Sequence, residues 1–265
     1  MRLTRLFSVI FVAGFLALSC KSPYEALLRS PDVQTVFDGA MDYYNQGKYL
    51  KAATLFDKLL MAVNGTEKDD TVQFYNALSN YRYGDISTAE AQFEKFFQTF
   101  PRNPFTEEAK FLRIECLYQS TYRPELDQMP THKAMAAINE YLYEHPNNKN
   151  LKRCRDMLVD LQDRLDRKSF EAARLYYTIE DYRAASYALK NTLKENAENK
   201  YREDIMYYIV AANYMYASNS VKARQKERFL TLIDEYYNFI SEFPDSRYRK
   251  ELDSMFAKAQ QYINK

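Results

Sequence analysis

Apolar residues recur at spacings of three, four and seven along most of the chain, and nowhere do they alternate with polar ones for more than a few positions. That period belongs to helices burying one stripe, and it excludes a sheet as the main architecture. Eight prolines and five glycines in 265 residues are sparse punctuation, and the prolines fall between the periodic segments, not inside them. The pattern predicts helices joined by short turns, an all-α fold.

The helical pattern also repeats. "YYNQGKYLKAATLF" from Tyr43 returns as "YYTIEDYRAASYAL" from Tyr176, and "FYNALSNYRYG" from Phe74 returns as "YYIVAANYMYA" from Tyr207, both 133 residues on. Superposing helix starts gives five units with Phe37, Phe74, Phe111, Phe170 and Tyr207 in one column. Seven residues later stand Tyr44, Tyr81, Tyr118, Tyr177 and Tyr214. Seven residues make two turns, so both columns share a helix face. Between them lie Ala40, Ala77, Ile114, Ala173 and Val210. The second helices carry Ala52, Ala89, Ala134 and Ala185, each followed four residues on by Phe56, Phe93, Ile138 or Leu189. Small residues facing large ones predict close antiparallel crossings. Pro101, Pro146 and Pro244 then end second helices.

This order of small residue, aromatic and proline resembles the tetratricopeptide repeat, with a period of 37 instead of about 34 and Phe or Tyr for the leading tryptophan. The resemblance implies a tetratricopeptide-type helical solenoid of five helix pairs plus a C-terminal capping helix, running from Arg247 to about Ile263. Unit three carries an insertion, "STYRPELDQMPTH". Unit five is about ten residues longer than the offset allows, placing the addition before its second helix. "NKNLKRCRDMLVDLQDRLDRKSF" contains no breaker and predicts one long helix joining repeats 1–3, over 32–146, to repeats 4–5 and the cap, over 147–265.

The N-terminus has a different character. Two arginines precede the apolar run "LFSVIFVAGFLALS", which is too short to span a bilayer and suits a secretory signal. Cys20 closes the run in "ALSCKS", which resembles a lipobox with Ala17 in place of the commoner leucine. That implies a signal peptide over 1–19, lipidation of Cys20 and a lipidated tether over 20–31. Several acyl chains on one cysteine would anchor the chain to a membrane.

Charge adds mainly exclusions. Lys plus Arg number 37 against 36 Asp plus Glu, interspersed, so no nucleic-acid footprint is present. His132 and His145 are the only histidines, and no HExxH, CxxC, GxSxG or glycine-rich loop occurs. No catalytic residue, metal site or cofactor is predicted. Adjacent Glu107 and Glu108 do not converge on one substrate atom from a helix. A glycan-binding lipoprotein that stacks sugars on indoles does not suit a chain without tryptophan. Cys116 and Cys154 are open to either a bridge or two buried thiols.

"CKSPYEALLRS" leading into "AMDYYNQGKYLKAATLF", then "AEAQFEKFFQTFPRNP" and "DQMPTHKAMAAINEYLYEHP", resembles the BamD family, lipoproteins of the outer-membrane β-barrel assembly machinery, over essentially the whole mature chain. The resemblance implies a lipid-anchored protein on the periplasmic face of the outer membrane. It also implies a BamA-type β-barrel assembly subunit as partner of the C-terminal half and unfolded outer-membrane proteins as clients of the N-terminal repeats. Lys21 after the cysteine favours outer-membrane delivery under the enteric sorting rule. A generic periplasmic scaffold for cell-wall or division proteins is the competing reading. Candidate groove residues are Tyr44, Asn45, Tyr81, Arg82, Tyr118 and Gln119. Arg82 beside Tyr81 offers a guanidinium for a client's C-terminal carboxylate and a ring for its last side chain, or else it solvates the helix end before Gly84.

Overall fold

The computed structural model describes residues 22–264. Among the described residues are twelve helices and no strand: α1 (Pro23–Arg29), α2 (Val33–Asn45), α3 (Tyr49–Val63), α4 (Asp69–Tyr83), α5 (Ile86–Thr99), α6 (Thr106–Gln119), α7 (Met129–Glu144), α8 (Leu151–Thr178), α9 (Tyr182–Glu195), α10 (Arg202–Ser218), α11 (Lys222–Glu242) and α12 (Arg249–Ile263). The fold is all-α, five helix pairs of tetratricopeptide type followed by the capping helix α12. Two compact units divide it. Unit 1 extends to Thr121 and resumes over His132–Asn150, and unit 2 comprises Tyr122–Thr131 and the chain from Leu151.

Each helix begins and ends for a local reason. Asp32, Asp85 and Asp181 cap α2, α5 and α9, their carboxylates accepting the backbone N–H of Thr35 at 2.9 Å, Thr88 at 3.2 Å and Ala184 at 3.1 Å. Gly84 ends α4 at φ 99°, donating its N–H to the carbonyls of Asn80 and Tyr81. Its equivalent in unit five is Ala217, which continues the helix. Between pairs, the side-chain oxygens of Asn103, Asn148 and Asn199 accept the N–H two residues on, from Phe105 at 2.8 Å, Asn150 at 2.8 Å and Tyr201 at 2.9 Å. Ser246 does the same for Tyr248 at 3.0 Å. These turns aim the chain into α6, α8, α10 and α12.

At the crossings the small residues are sealed. Ala52, Ala89, Ala134 and Ala185, with Phe56, Phe93, Ile138 and Leu189 one turn on, are all 0% exposed. Ala40, Ala77, Ile114, Ala173 and Val210 are also buried. The first aromatic column is only partly so. Phe74 and Phe170 are buried, whereas Phe37, Phe111 and Tyr207 are half-buried. Most of the column is covered by the start of the following pair, by Phe105 stacked on Phe74 at 4.5 Å, Tyr201 on Phe170 at 5.5 Å, Tyr248 on Tyr207 at 3.9 Å and the Lys68 ammonium on Phe37 at 4.8 Å. Phe111 meets Tyr141 of α7 at 6.1 Å instead.

Unit five departs from expectation. Its extra residues do not precede the second helix but lengthen it: α11 has 21 residues, where α5 and α9 have 14. Lys222–Arg228 contains no proline or glycine, so the insertion propagates the helix. Leu232 and Tyr236 occupy the places of the crossing alanine and its aromatic, both buried. Part of the insertion in unit three is likewise helical, since α7 starts at Met129. The remainder is pinned in unit 2. Buried Gln128 donates to the carbonyls of Arg123 at 2.9 Å and Leu126 at 3.0 Å, and Lys168 of α8 donates to Leu126 O at 2.6 Å.

α8, with 28 residues, is one unbroken helix about 42 Å long. Its buried Asp166 accepts Asn196 Nδ2 at 2.8 Å and the Lys200 N–H at 3.0 Å, fastening the turn after α9. Cys116 and Cys154 are buried free thiols, which resolves the alternative the sequence left open. Burial pushes the Cys116 thiol up to about 12, so it stays protonated and unreactive.

The cap is held by phenol–carboxylate bonds. Tyr236 of α11 donates to Asp253 at 2.6 Å and Tyr207 of α10 to Glu251 at 3.0 Å, while Tyr248 and Arg247 both reach Asp204.

Two predictions follow from this packing. Ala89→Leu should overpack the α4–α5 crossing and cost about 1–3 kcal/mol, whereas Ala91→Leu, exposed two residues away, should stay within about 0.5 kcal/mol. Equal melting temperatures for the two variants would reject the crossing register. Burial, and then the bond to Asp253, push the Tyr236 phenol from 10.0 up to about 12. Since the unfolded phenol ionises first, this contribution is complete below pH 10 and is lost as pH rises from 10 toward 12. Denaturant titrations across that window should show a shallower fall for Tyr236→Phe than for the parent, and parallel falls would refute the linkage.

Candidate functional site

The tyrosines two turns beyond the first aromatic take corresponding, half-buried places on α2, α4 and α6 of unit 1. Tyr44, near the end of α2, is half-buried, its ring edge-on to Tyr49 at 5.5 Å and to Tyr75 of α4 at 5.3 Å. The Arg82 guanidinium of α4 lies close enough to the Tyr44 hydroxyl to act on its pKa. One step along, Tyr81 packs on Phe93 at 6.4 Å, and its hydroxyl accepts Gln119 Nε2 of α6 at 3.3 Å. Each rung joins a tyrosine to the residue just after the next helix's tyrosine. Tyr118 completes the column, half-buried.

Four of the six candidates, Tyr44, Tyr81, Arg82 and Gln119, are thereby brought together. Asn45 is exposed at the end of α2 and takes no part in the rungs. The sequence reading coupled Arg82 to Tyr81, its neighbour in the chain. The structure also brings Arg82 close to Tyr44 on the first helix of the preceding repeat, a proximity that spacing within one helix does not reveal.

Electrostatics at the rungs follow from burial and neighbours. Burial raises the Tyr44 phenol above its ordinary value, and the nearby Arg82 charge partly offsets it. Tyr81 is raised by burial and by the Glu115 carboxylate, with the Gln119 hydrogen bond opposing. Both are neutral at pH 7 and present fixed hydroxyls. Arg82 itself is exposed, and among the described residues no carboxylate forms an ion pair with it. Its charge is available to a ligand.

Unit 2 repeats the rings with a different charge. Tyr177 lies 5.4 Å from Tyr182 and 5.1 Å from Tyr208, each 133 residues beyond its counterpart in unit 1. Met215 stands where unit 1 has Arg82, and Arg174 where unit 1 has Met41. Arg174 is already committed, donating to Glu171 at 2.9 and 2.6 Å and lying 5.9 Å from the centre of the Tyr208 ring. The cation has crossed to the other side of the cluster and been paired.

A recess not foreseen from sequence lies between α5, α6 and α7. It holds about 320 Å³ and is lined by Phe97, Lys110, Arg113, Ile114, Tyr141 and Glu144, among others. Its charges are satisfied internally, Lys110 with Glu144 at 2.5 Å and Arg113 with Glu90 at 3.3 Å and Glu94 at 3.1 Å. Phe97, one turn beyond Phe93, was its only sequence signal.

Cys20 lies outside the described residues. Glu107 and Glu108 are exposed, with Glu107 3.9 Å from His145 Nδ1. Among the described residues no group of three His, Cys, Asp or Glu is placed to hold a metal ion, and no helix is long and apolar enough to cross a membrane.

Comparison with known proteins places this geometry in a family. Residues 30–228 match the family described as YfiO, outer membrane lipoprotein. The outer membrane protein assembly factor BamD of Rickettsia prowazekii is 23% identical over 216 residues, covering 81% of this chain and 85% of that one. The protein of the same name from Caulobacter vibrioides is 19% identical over 180 residues, 68% of this chain, and the match spans only 59% of that relative. The TPR2AB domain of yeast Sti1, solved as a pHSP90 complex, aligns over 86% of this chain and 98% of its own at 14% identity, with a TM-score of 0.41. With well over half of its length matched, the chain belongs to the YfiO family of outer membrane lipoproteins.

Proposed function

We propose that this chain is a lipid-anchored subunit of the outer-membrane β-barrel assembly machinery, a scaffold that binds client peptides and performs no chemistry of its own. The observation that carries the reading is the unpaired Arg82 set among the tyrosine rungs of unit 1, in a chain whose family relatives are named as outer membrane protein assembly factors. A client strand ending in an aromatic residue and a free carboxylate matches both parts of that site, the ring by packing and the charge by a charge-assisted hydrogen bond.

In this reading the two units divide the labour. Unit 1, with its free cation, receives unfolded outer-membrane proteins. Unit 2, which has Met215 in the place of Arg82 and whose cluster cation Arg174 is neutralised by Glu171, docks the BamA-type assembly subunit. Cys20 carries the lipid and holds the chain to the periplasmic face of the outer membrane.

The test is capture from detergent-solubilised envelope with the tagged full chain. A β-barrel assembly subunit should dominate the co-purified proteins, and Cys20→Ala should leave the membrane fraction. Dominant cell-wall or division enzymes would replace this reading with a generic periplasmic scaffold, and lipid labelling that survives Cys20→Ala would overturn the anchor.

A further inference from the structure

Helix α1 has seven residues, none of them buried, and a helix that short does not hold itself in water. Unit 1 holds it at three points. Tyr24 meets Tyr43 of α2 edge to face at 5.4 Å, with the Lys51 ammonium over both rings at 5.0 and 5.5 Å. Leu27 fills the space above Gly39, where even a Cβ would overlap its side chain. The Lys58 ammonium of α3 donates to the carbonyls of Leu27 at 3.0 Å, Leu28 at 2.8 Å and Ser30 at 2.6 Å. Those are carbonyls of the kind a helix leaves unsatisfied at its C-terminus, and the cation also sits at the negative end of the helix dipole.

The core of the first pair holds Val36, Ala40, Ala52, Leu55 and Phe56, all buried, and Tyr24, Leu27 and Leu28 of α1 pack against it. We infer that α1 is a latch that fixes the lipid anchor at a short, constant distance from unit 1, an inference that rests on the reading of Cys20 as the acylated residue. Cys20 precedes the α1 cap, Ser22, by two residues, at most about 7 Å of chain. With α1 released, the chain from Cys20 to Asp32 would reach about 40 Å. The latch converts a slack tether into a post, and it holds the Tyr44 rung at one height above the lipid surface.

Amide hydrogen exchange of the full mature chain tests the attachment. The α1 amides should exchange at least tenfold faster in Lys58→Met and in Gly39→Ala than in the parent, with α3 to α6 unchanged. Gly39→Ala guards against a trivial result, because alanine favours the helix α2 while evicting Leu27. Unchanged α1 exchange in both variants would overturn the latch.

The membrane role is tested separately. The acylated chain, labelled at an Asn64→Cys site in an exposed turn of unit 1, is bound to phosphatidylethanolamine–phosphatidylglycerol vesicles carrying headgroup acceptors. Energy transfer should give one short distance for the parent and a broader, longer distribution for Lys58→Met. Identical distributions would overturn the fixed height. A chain that does not float with the vesicles would overturn the acylation reading and the membrane role with it, while the exchange result would still decide the latch.

Discussion

In four of the five pairs the second helix crosses the first at an alanine, and most of what this chain presents depends on that close crossing. Ala52, Ala89, Ala134 and Ala185 are fully enclosed, and each lets a large neighbour one turn away interlock with the facing helix. A helix held so closely at one point has little freedom to rotate about its axis. Its remaining faces are then assigned. In unit 1 the tyrosines of α2, α4 and α6 take corresponding half-buried places, and the Tyr81 hydroxyl of α4 accepts Gln119 Nε2 of α6.

The same constraint explains what could be read from sequence. Crossing residues, first aromatics and terminal prolines recur at a fixed spacing, so five weak signals in register identified the pairs. What recurs without an obvious role was missed: Asn103 and Asn148 follow their prolines by two residues and hold the turns through side-chain bonds. Contacts between repeats were illegible for a different reason. The Tyr44–Arg82 rung and the grip of Lys58 on α1 join residues some 30 to 40 positions apart, where no helical period relates them. The lengthening of α11 was misplaced because a repeat offset counts added residues without showing whether they coil into the helix or loop out of it.

Charge separates the two otherwise similar units. Their ring clusters share spacing to within a few tenths of an ångström, yet in the internal repeat Met215 stands in the place of Arg82, and Arg174 in the place of Met41. Among the described residues no ion pair holds Arg82, whereas Lys110, Arg113, Arg174 and Arg202 are each paired with a carboxylate. Exposed pairs of this kind add little stability, but they do remove the charge from use by a partner.

The claim that unit 1 reads a terminal carboxylate through Arg82 is tested most directly by calorimetric binding of a client-type peptide ending in phenylalanine, as free acid and as amide. For the free acid, Arg82→Ala should weaken binding about tenfold or more, the scale of a hydrogen bond to a charged group, and for the amide it should change little. Equal weakening of the two peptides, or none for either, would contradict the account.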